Sequence, residues 1–371
     1  MAYEFATAAV LCLLWICISY LLIAFNKYLM TDGGFPFAAG LGLIHGLTCS
    51  GMAVLLIIVK PSLFPFLMDE EKRAALNGRF FLKALLPICV CFTIEIVLGN
   101  QAYKYLSLAF LQMLKETNVV LVYAMGIVAS TERFSWTNFK LILCIVFASL
   151  GTMKGELNFT WRGFAIQMLC CLAGSLKITM QGVLLASAGM KFDAFSYLLV
   201  VMPVCAMIQG ACLGASQSVQ DGGVAWMPVP TWSDVFAHRY ILIPNALLAF
   251  TLNVVAMMFI KASSSVTYVL AGIVKDMVIV LGGVIFLGDE VSKMQSLAFA
   301  AQIFFLLALS MSKQFPQKFE NGVWIGFWSL FEMQDPLQPS KLLKSEYGSA
   351  TCGEPSKPHA ENGVGSTQSR V

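Results

Sequence analysis

Ten apolar segments, each about 20 residues long, follow one another along residues 6–313 of the chain. A helix needs about 20 apolar residues to cross a bilayer, so each segment is long enough to span. The chain is 58% hydrophobic and 12% charged, whereas soluble domains carry about 25% charged residues. These features predict an all-α polytopic membrane protein. The segments are 6–29, 36–59, 80–103, 106–129, 137–154, 163–186, 193–216, 240–261, 264–287 and 294–313.

Two of these segments contain a lysine followed directly by an acid. The pairs are Lys115-Glu116 in the fourth segment and Lys275-Asp276 in the ninth. A charge at the centre of a bilayer costs roughly 2.5–3.5 kcal/mol on insertion scales, so such residues usually serve a function. The pairs lie at matching places in the two halves of the chain, which indicates an internal repeat.

An odd number of spans in each half would make the second half enter the bilayer from the opposite side. We therefore expect two inverted five-helix repeats, residues 1–155 and 156–313, related by an axis in the membrane plane. In secondary transporters this arrangement places the substrate site near the bilayer midplane, between the repeats. Residues 314–371 are rich in Pro, Ser and Gly, and we expect a largely disordered cytosolic tail, dispensable beyond about residue 320.

Loop charges and the N-terminal sequence predict how the chain sits in the cell. Lysines and arginines are more frequent in the loops on the side that would hold the termini, which predicts that both termini are cytosolic. No Arg- and Ser-rich, acid-poor presequence opens the chain, so we expect the Golgi or ER membrane rather than the plastid envelope. We expect no nucleic-acid partner, no metal and no cofactor, while a homodimer is left open.

The lysine-acid pairs predict an anion site between the halves. Adjacent residues on a helix point about 100° apart, so Lys115 should not pair with Glu116. We instead expect the pairs to cross, with Lys115 near Asp276 and Lys275 near Glu116, until a substrate anion displaces a carboxylate. The alternative is a permanent structural ion-pair network that never touches a substrate.

Other polar residues inside the apolar segments complete the candidate site. We expect Lys177 to face the cavity as an anion ligand, with snorkelling toward an interface as the alternative. Glu95 is left between a proton-linked role and a structural one, and His45 is interpreted as a helix-contact residue. Asn253 could meet a sugar hydroxyl and Tyr268 could stack on a sugar or base, with helix packing as the equal alternative. The expected substrate-binding residues are Lys115, Glu116, Lys177, Asn253, Thr267, Tyr268, Lys275 and Asp276.

Several short runs of sequence carry a resemblance to a known family. They are Asn26-Lys-Tyr-Leu29, Phe35-Pro-Phe37, Gly99-Asn-Gln-Ala-Tyr103, Tyr105 through Lys115, and Ala271-Gly-Ile-Val-Lys-Asp276. Together they resemble the triose-phosphate translocator and nucleotide-sugar transporter branch of the drug/metabolite transporter superfamily, over roughly residues 8–313. The last run is the most specific and resembles the KD subgroup of sugar-phosphate/phosphate translocators.

The resemblance implies an activity as well as a fold. It implies exchange of a sugar phosphate or nucleotide sugar against phosphate or a nucleotide monophosphate, with the lysines that match Lys115 and Lys275 contacting the phosphate. Plastid members have Lys-Arg where this chain has Lys275-Asp276, which argues against simple triose-phosphate exchange. The alternatives are a carrier of another small organic solute in the same superfamily and a non-transporting membrane scaffold. An enzyme is not expected, because no nucleophile-base set appears.

Overall fold

The computed structural model describes residues 2–130, 132, 134–185, 192–220, 228–263, 265–319 and 323–331. Within these ranges every regular element is a helix. Nine helices in the described part of the chain are long and apolar enough to span a membrane. A further helix of 22 residues, Ser265–Phe286, lies where the ninth span is predicted. The all-α polytopic membrane fold is thus confirmed, while the count of ten spans stays a prediction.

The long helices follow the predicted segments to within a few residues. A π-helical turn, Phe81–Leu85, joins α5 to α6, and a second one, Gln181–Leu185, extends α10. In chain order the helices are α1 (Ala2–Met30), α2 (Ala38–Val59), α3 (Pro65–Met68), α4 (Glu70–Ala74), α5 (Gly78–Phe80), α6 (Leu86–Ala102), α7 (Leu108–Lys115), α8 (Asn118–Val128), α9 (Trp136–Gly155), α10 (Trp161–Met180), α11 (Ala194–Gln220), α12 (Trp232–Ala237), α13 (Arg239–Ala262), α14 (Ser265–Phe286), α15 (Lys293–Gln314), α16 (Pro316–Phe319) and α17 (Val323–Phe331).

The predicted fourth span is broken at its lysine-acid pair. α7 ends at Lys115, α8 begins at Asn118, and a two-residue turn separates them. Backbone groups freed inside a membrane must find new partners. Here the Thr117 hydroxyl donates to the Leu114 carbonyl at 2.6 Å, and the Ser175 hydroxyl donates to the Asn118 carbonyl at 3.3 Å. The break therefore places the first cation of the candidate site at a helix end.

Helices from the two predicted halves pack against each other throughout the bundle. α9 packs on α15, α6 on α10, α1 on α13, α2 on α11, and α7 on α14. Small residues permit close approach in the α9–α15 contact. A Cβ added at Gly155 would lie 2.7 Å from the Gln295 backbone nitrogen, and one at Gly151 would lie 2.9 Å from the Ala298 Cβ. The cavity described below lies among α1, α2, α6, α7, α10, α11 and α13 of this bundle.

Hydrogen bonds hold together the end of the bundle at which α7 begins. The Lys27 ammonium donates to the carbonyls of Tyr103 and Leu106, at 2.7 Å each. The Asp289 carboxylate accepts a hydrogen bond from the Ala109 N–H at 2.8 Å. These contacts tie α1 and the α14–α15 connection to the start of the helix that carries Lys115.

The beginning of the predicted tail is folded. α15 runs to Gln314, and α16 and α17 follow it and pack on it. Phe319 is only 2% exposed and lies against Gly326 of α17. The described residues of this segment are thus helical as far as Phe331, because an apolar run there has a packing partner, and the prediction of a largely disordered tail stays a prediction. Residues 332–371 lie outside the described residues, and the dispensability of the tail beyond about residue 320 stays a prediction.

Candidate functional site

A cavity of about 340 Å³ lies within the bundle. This volume is at the lower end of the range of about 300–1,000 Å³ found for small-molecule pockets. Its apolar and thiol lining includes Leu22, Cys49, Phe92, Ile96, Cys170, Met202, Cys205 and Leu252. Its polar lining comprises Asn26, His45, Glu95, Asn100, Tyr103, Lys115, Gln209 and Asn253. The cavity thus joins an apolar wall to polar groups contributed by several helices.

Lys115 is the lysine that lines this cavity. Within the described ranges its ammonium forms neither an ion pair nor a hydrogen bond. A charge removed from water is costly unless it is paired, so a lysine in this setting favours an anion beside it. The position of Lys115 is the feature of the cavity that most clearly selects the charge of a ligand.

A second lysine, Lys177, is neutralised by Glu95. The Lys177 ammonium lies 2.5 Å from the Glu95 Oε2 and 4.2 Å from the centre of the Phe92 ring. The approach depends on Gly174, where an added Cβ would lie 2.8 Å from the Glu95 Oε1. Glu95 lines the cavity, whereas Lys177 is not among the residues that line it. The sequence predicted Lys177 as a cavity-facing ligand, but the structure places the carboxylate of its partner there.

The second lysine-acid pair forms a compact cluster beside α7. The Lys275 ammonium lies 2.7 Å from the Asp276 Oδ1, which also accepts a hydrogen bond from the Gln112 amide at 2.5 Å. The Glu116 carboxyl is 8% exposed, and its Oε1 has no hydrogen-bond partner among the described residues. Lys275 also lies 5.7 Å from the centre of the Trp15 ring. This cluster links α1, α7 and α14.

The predicted cross-pairing of the two lysine-acid pairs is wrong for Lys275. Its ion pair is with its own neighbour Asp276, because a lysine side chain is long enough to fold back along the helix surface. No ion pair joins Lys115 to Asp276 in the described residues. Lys275 is also absent from the residues that line the cavity, so the two lysines do not face the same space in this structure.

The remaining predicted site residues lie in different places. Asn253 lines the cavity, and its amide donates to the Ala249 carbonyl at 2.9 Å. Tyr268 packs on Trp15, with 5.0 Å between the ring centres, and does not line the cavity. Thr267 is exposed. The hydroxyl groups at the start of α14 are therefore separated from the cavity.

Sequence reasoning missed a chain of polar contacts at the cavity wall. The His45 Nε2 lies 2.5 Å from the Asn245 Oδ1, and the Asn245 amide donates to the Asn26 Oδ1 at 2.9 Å. The chain joins α2, α13 and α1, and it makes His45 both a helix contact and a cavity residue. A polar side chain inside each of three apolar segments was the available signal, but that signal does not reveal which helices are neighbours.

Gln209 was also missed. It is 1% exposed and lines the cavity from α11, and neither of its amide atoms has a hydrogen-bond partner among the described residues. Its signal in the sequence was an isolated amide within the apolar run from Leu198 to Ala215.

The cavity has the chemistry of a binding site for an anionic, polar solute. A lysine can hold an anion, and amides can both donate to and accept from hydroxyl groups. No group of three or more His, Cys, Asp or Glu side chains in the described residues could hold a metal ion.

Comparisons with known proteins identify the family of this chain. Residues 6–308 match the profile of the Triose-phosphate Transporter family. A probable sugar phosphate/phosphate translocator of Arabidopsis thaliana is 30% identical over 294 residues, which is 78% of this chain and 81% of the relative. UDP-galactose transporter 1 of Arabidopsis thaliana is 27% identical, covering 76% of this chain and 80% of the relative. A GDP-mannose transporter of the same plant is 27% identical, covering 76% and 79%. The chain therefore belongs to the Triose-phosphate Transporter family.

Proposed function

We propose that this protein is a secondary transporter for a phosphorylated sugar. The substrate is a sugar phosphate or a nucleotide sugar, exchanged for phosphate or a nucleotide monophosphate. The observation that carries the proposal is Lys115, a lysine without an ion pair in the described residues that lines a cavity among spanning helices. The names of the relatives, which include sugar phosphate/phosphate translocators and nucleotide-sugar transporters, support the same substrate class.

The pattern of helix packing supports the proposed inverted repeat. The proposed axis would place α1 on α10, α2 on α11, α6 on α13, α7 and α8 on α14, and α9 on α15. The pair α6–α10 then becomes α13–α1, and α2–α13 becomes α11–α6; all four pairs are in contact. The pairs α2–α11, α7–α14 and α9–α15 map onto themselves. This is the pattern expected for halves related by a two-fold axis, around which a transporter can open to either side in turn.

The cluster at the second lysine-acid pair belongs to the proposed site as a second anion-binding element. Gln112, one turn before Lys115 on α7, donates to Asp276 on α14, so a shift of α14 acts directly on the helix that carries Lys115. We propose that Lys275 is released from Asp276 toward the substrate during exchange and that Glu116 takes part in that rearrangement. Of the other predicted ligands, Asn253 contributes from the cavity wall, and Lys177 acts through Glu95.

Exchange in proteoliposomes tests the assignment of Lys115. Lys115→Met keeps the side-chain length and removes the charge, and it should lower exchange of inorganic phosphate and of sugar phosphates at least about tenfold. Lys140→Met on α9 is the matched control, since Lys140 is exposed and away from the cavity. Folded Lys115→Met protein that exchanges these solutes like the control would refute the proposal.

The proposed location is the Golgi or ER membrane, with both termini cytosolic. Expression of the full chain with a short epitope at each end tests both statements. Co-staining with compartment markers reports the organelle. Epitope accessibility after selective permeabilisation of the plasma membrane reports the side, and a protected epitope at either end would overturn the orientation.

A further inference from the structure

Gln209 lines the cavity, and both polar atoms of its amide are unpaired among the described residues. It lies on α11, is 1% exposed, and has neither a donor for its Oε1 nor an acceptor for its Nε2 within the described part of the chain. Native structures pair the great majority of buried polar side-chain atoms, because an unpaired buried group costs free energy. A buried amide with both atoms unpaired at a cavity wall is therefore a candidate for a ligand contact.

The other amide and imidazole groups of the cavity wall already have protein partners. The Asn245 amide bonds to both His45 and Asn26, Asn253 donates to a carbonyl on its own helix, and Asn100 donates to the Ala38 carbonyl. Other buried glutamines with an unpaired oxygen, Gln167, Gln295 and Gln302, keep their Nε2 hydrogen bonded. Gln209 thus differs from both groups among the described residues.

The Gln209 amide lies in a slot formed by α2 and α6. A Cβ added at Gly42 would lie 3.0 Å from the Gln209 Nε2 and 2.9 Å from the Ile96 Cγ2. The missing side chain at Gly42 therefore leaves the space that the amide occupies at the cavity wall. The contact restricts the amide to this wall, which is a requirement for a group that discriminates between ligands.

We infer that Gln209 is a specificity-determining residue that hydrogen-bonds the sugar hydroxyls of the transported solute. An amide both donates and accepts, and so does a hydroxyl group, whereas the ionised oxygens of a phosphate only accept. A hydroxyl-bearing solute can satisfy both the Oε1 and the Nε2 of Gln209. Lys115, on a different helix, is left for the phosphate. This inference rests on the proposed function and adds the residue that separates an organic phosphate from inorganic phosphate.

Kinetics of a Gln209→Met variant test the inference. Methionine matches glutamine in length, so the cavity shape is retained, but it cannot make strong hydrogen bonds. Wild-type and variant proteins are reconstituted and assayed with glucose 6-phosphate, ribose 5-phosphate, UDP-galactose, GDP-mannose and inorganic phosphate. The KM of the preferred organic substrate should rise about tenfold, and that of inorganic phosphate by less than about twofold. A merely structural role would not change this ratio.

Gly42→Ala provides a second route to the same result. Its added methyl group must displace the Gln209 amide or Ile96, so it should shift the ratio of organic to inorganic phosphate in the same direction. Gly51→Ala is the matched control on the same helix, since a Cβ there meets no atom within 4 Å. The control should keep the wild-type ratio.

The possible failures are distinguishable. If the wild type exchanges none of the five solutes, the proposed function fails, and the role of Gln209 fails with it. If the wild type exchanges them and Gln209→Met changes every KM by the same factor or not at all, only the role of Gln209 is overturned. A ratio that shifts in Gly51→Ala as much as in Gly42→Ala would also overturn it.

Discussion

The carboxylate of Asp289 accepts a hydrogen bond from the backbone N–H of Ala109, at 2.8 Å. Ala109 is in the first turn of α7, where backbone N–H groups lack partners within the helix. The adjacent Ser107 hydroxyl accepts from the Phe110 N–H at 3.1 Å. Two side chains, one of them from the α14–α15 connection, therefore accept hydrogen bonds from backbone N–H groups at the start of the helix that ends at Lys115.

Replacing Asp289 by alanine should destabilise the protein. The Ala109 N–H would lose its acceptor, and the loss of a capping group costs about 1 kcal/mol of unfolding free energy. Thermal unfolding in detergent measures the effect. Glu290→Ala is the matched control, because Glu290 is the exposed neighbouring acid. Equal melting temperatures for the two variants would contradict the capping role.

Removing Lys177 should destabilise the protein through Glu95. Lys177→Met leaves the Glu95 carboxylate without its cation at the cavity wall, where the two side chains are 15% and 28% exposed. Breaking one partner of a fully buried pair costs about 3–5 kcal/mol, so a smaller loss of about 1–3 kcal/mol is expected here. The double variant Lys177→Met with Glu95→Gln should recover most of it. A double variant as unstable as the sum of the single changes would show that the pair is not coupled.

Lys275 should be required for exchange even in a variant whose stability does not depend on it. Lys275→Ala leaves Asp276 beside Glu116 without a cation, so part of its effect will be on stability. Changing both Lys275 and Asp276 to alanine should restore stability but not exchange, and Lys275→Arg should retain more exchange than Lys275→Ala. Both quantities are measured on the same reconstituted samples. Exchange recovered by the double variant would make Lys275 a structural residue.

Glu156 should make stability depend on pH. It follows α9, and burial raises the pKa of its carboxyl above the ordinary 4.5, more than the hydrogen bonds from Gln295 and Ser107 lower it. Because the pKa is raised in the folded state, the contribution of Glu156 to the free energy of unfolding is complete below pH 4.5. It is lost as the pH rises through the folded-state pKa. Glu156→Gln keeps an oxygen for the Gln295 amide and removes the charge.

The melting temperature of Glu156→Gln relative to wild type, measured from about pH 4 to pH 8, checks this sign. The difference should grow in favour of the variant as the pH rises. Glu290→Gln, at an exposed acid, should show no such trend. A variant that becomes relatively less stable with rising pH would mean that the hydrogen bonds outweigh the cost of burial.

The positions of the spanning helices were largely predictable because spanning is a local property. A run of about 20 apolar residues is required to cross the hydrocarbon core, whatever its neighbours are. The predicted segments 36–59 and 294–313 correspond to helices Ala38–Val59 and Lys293–Gln314. The break between Lys115 and Asn118 was not predicted, because apolar composition continues across it and only the partners of the freed backbone groups permit it.

The sequence by itself determined the fold class, the family resemblance and the presence of Lys115 and Lys275 in apolar segments. The tertiary structure decided which groups meet: Lys177 with Glu95, 82 residues away, and Lys275 with its own neighbour. It also decided that Lys115 and Gln209 line the cavity. The physical reason is that a contact depends on the rotation of each helix and on the identity of its neighbours. In a membrane those are set by close packing between helices, since nearly every helix face is equally apolar.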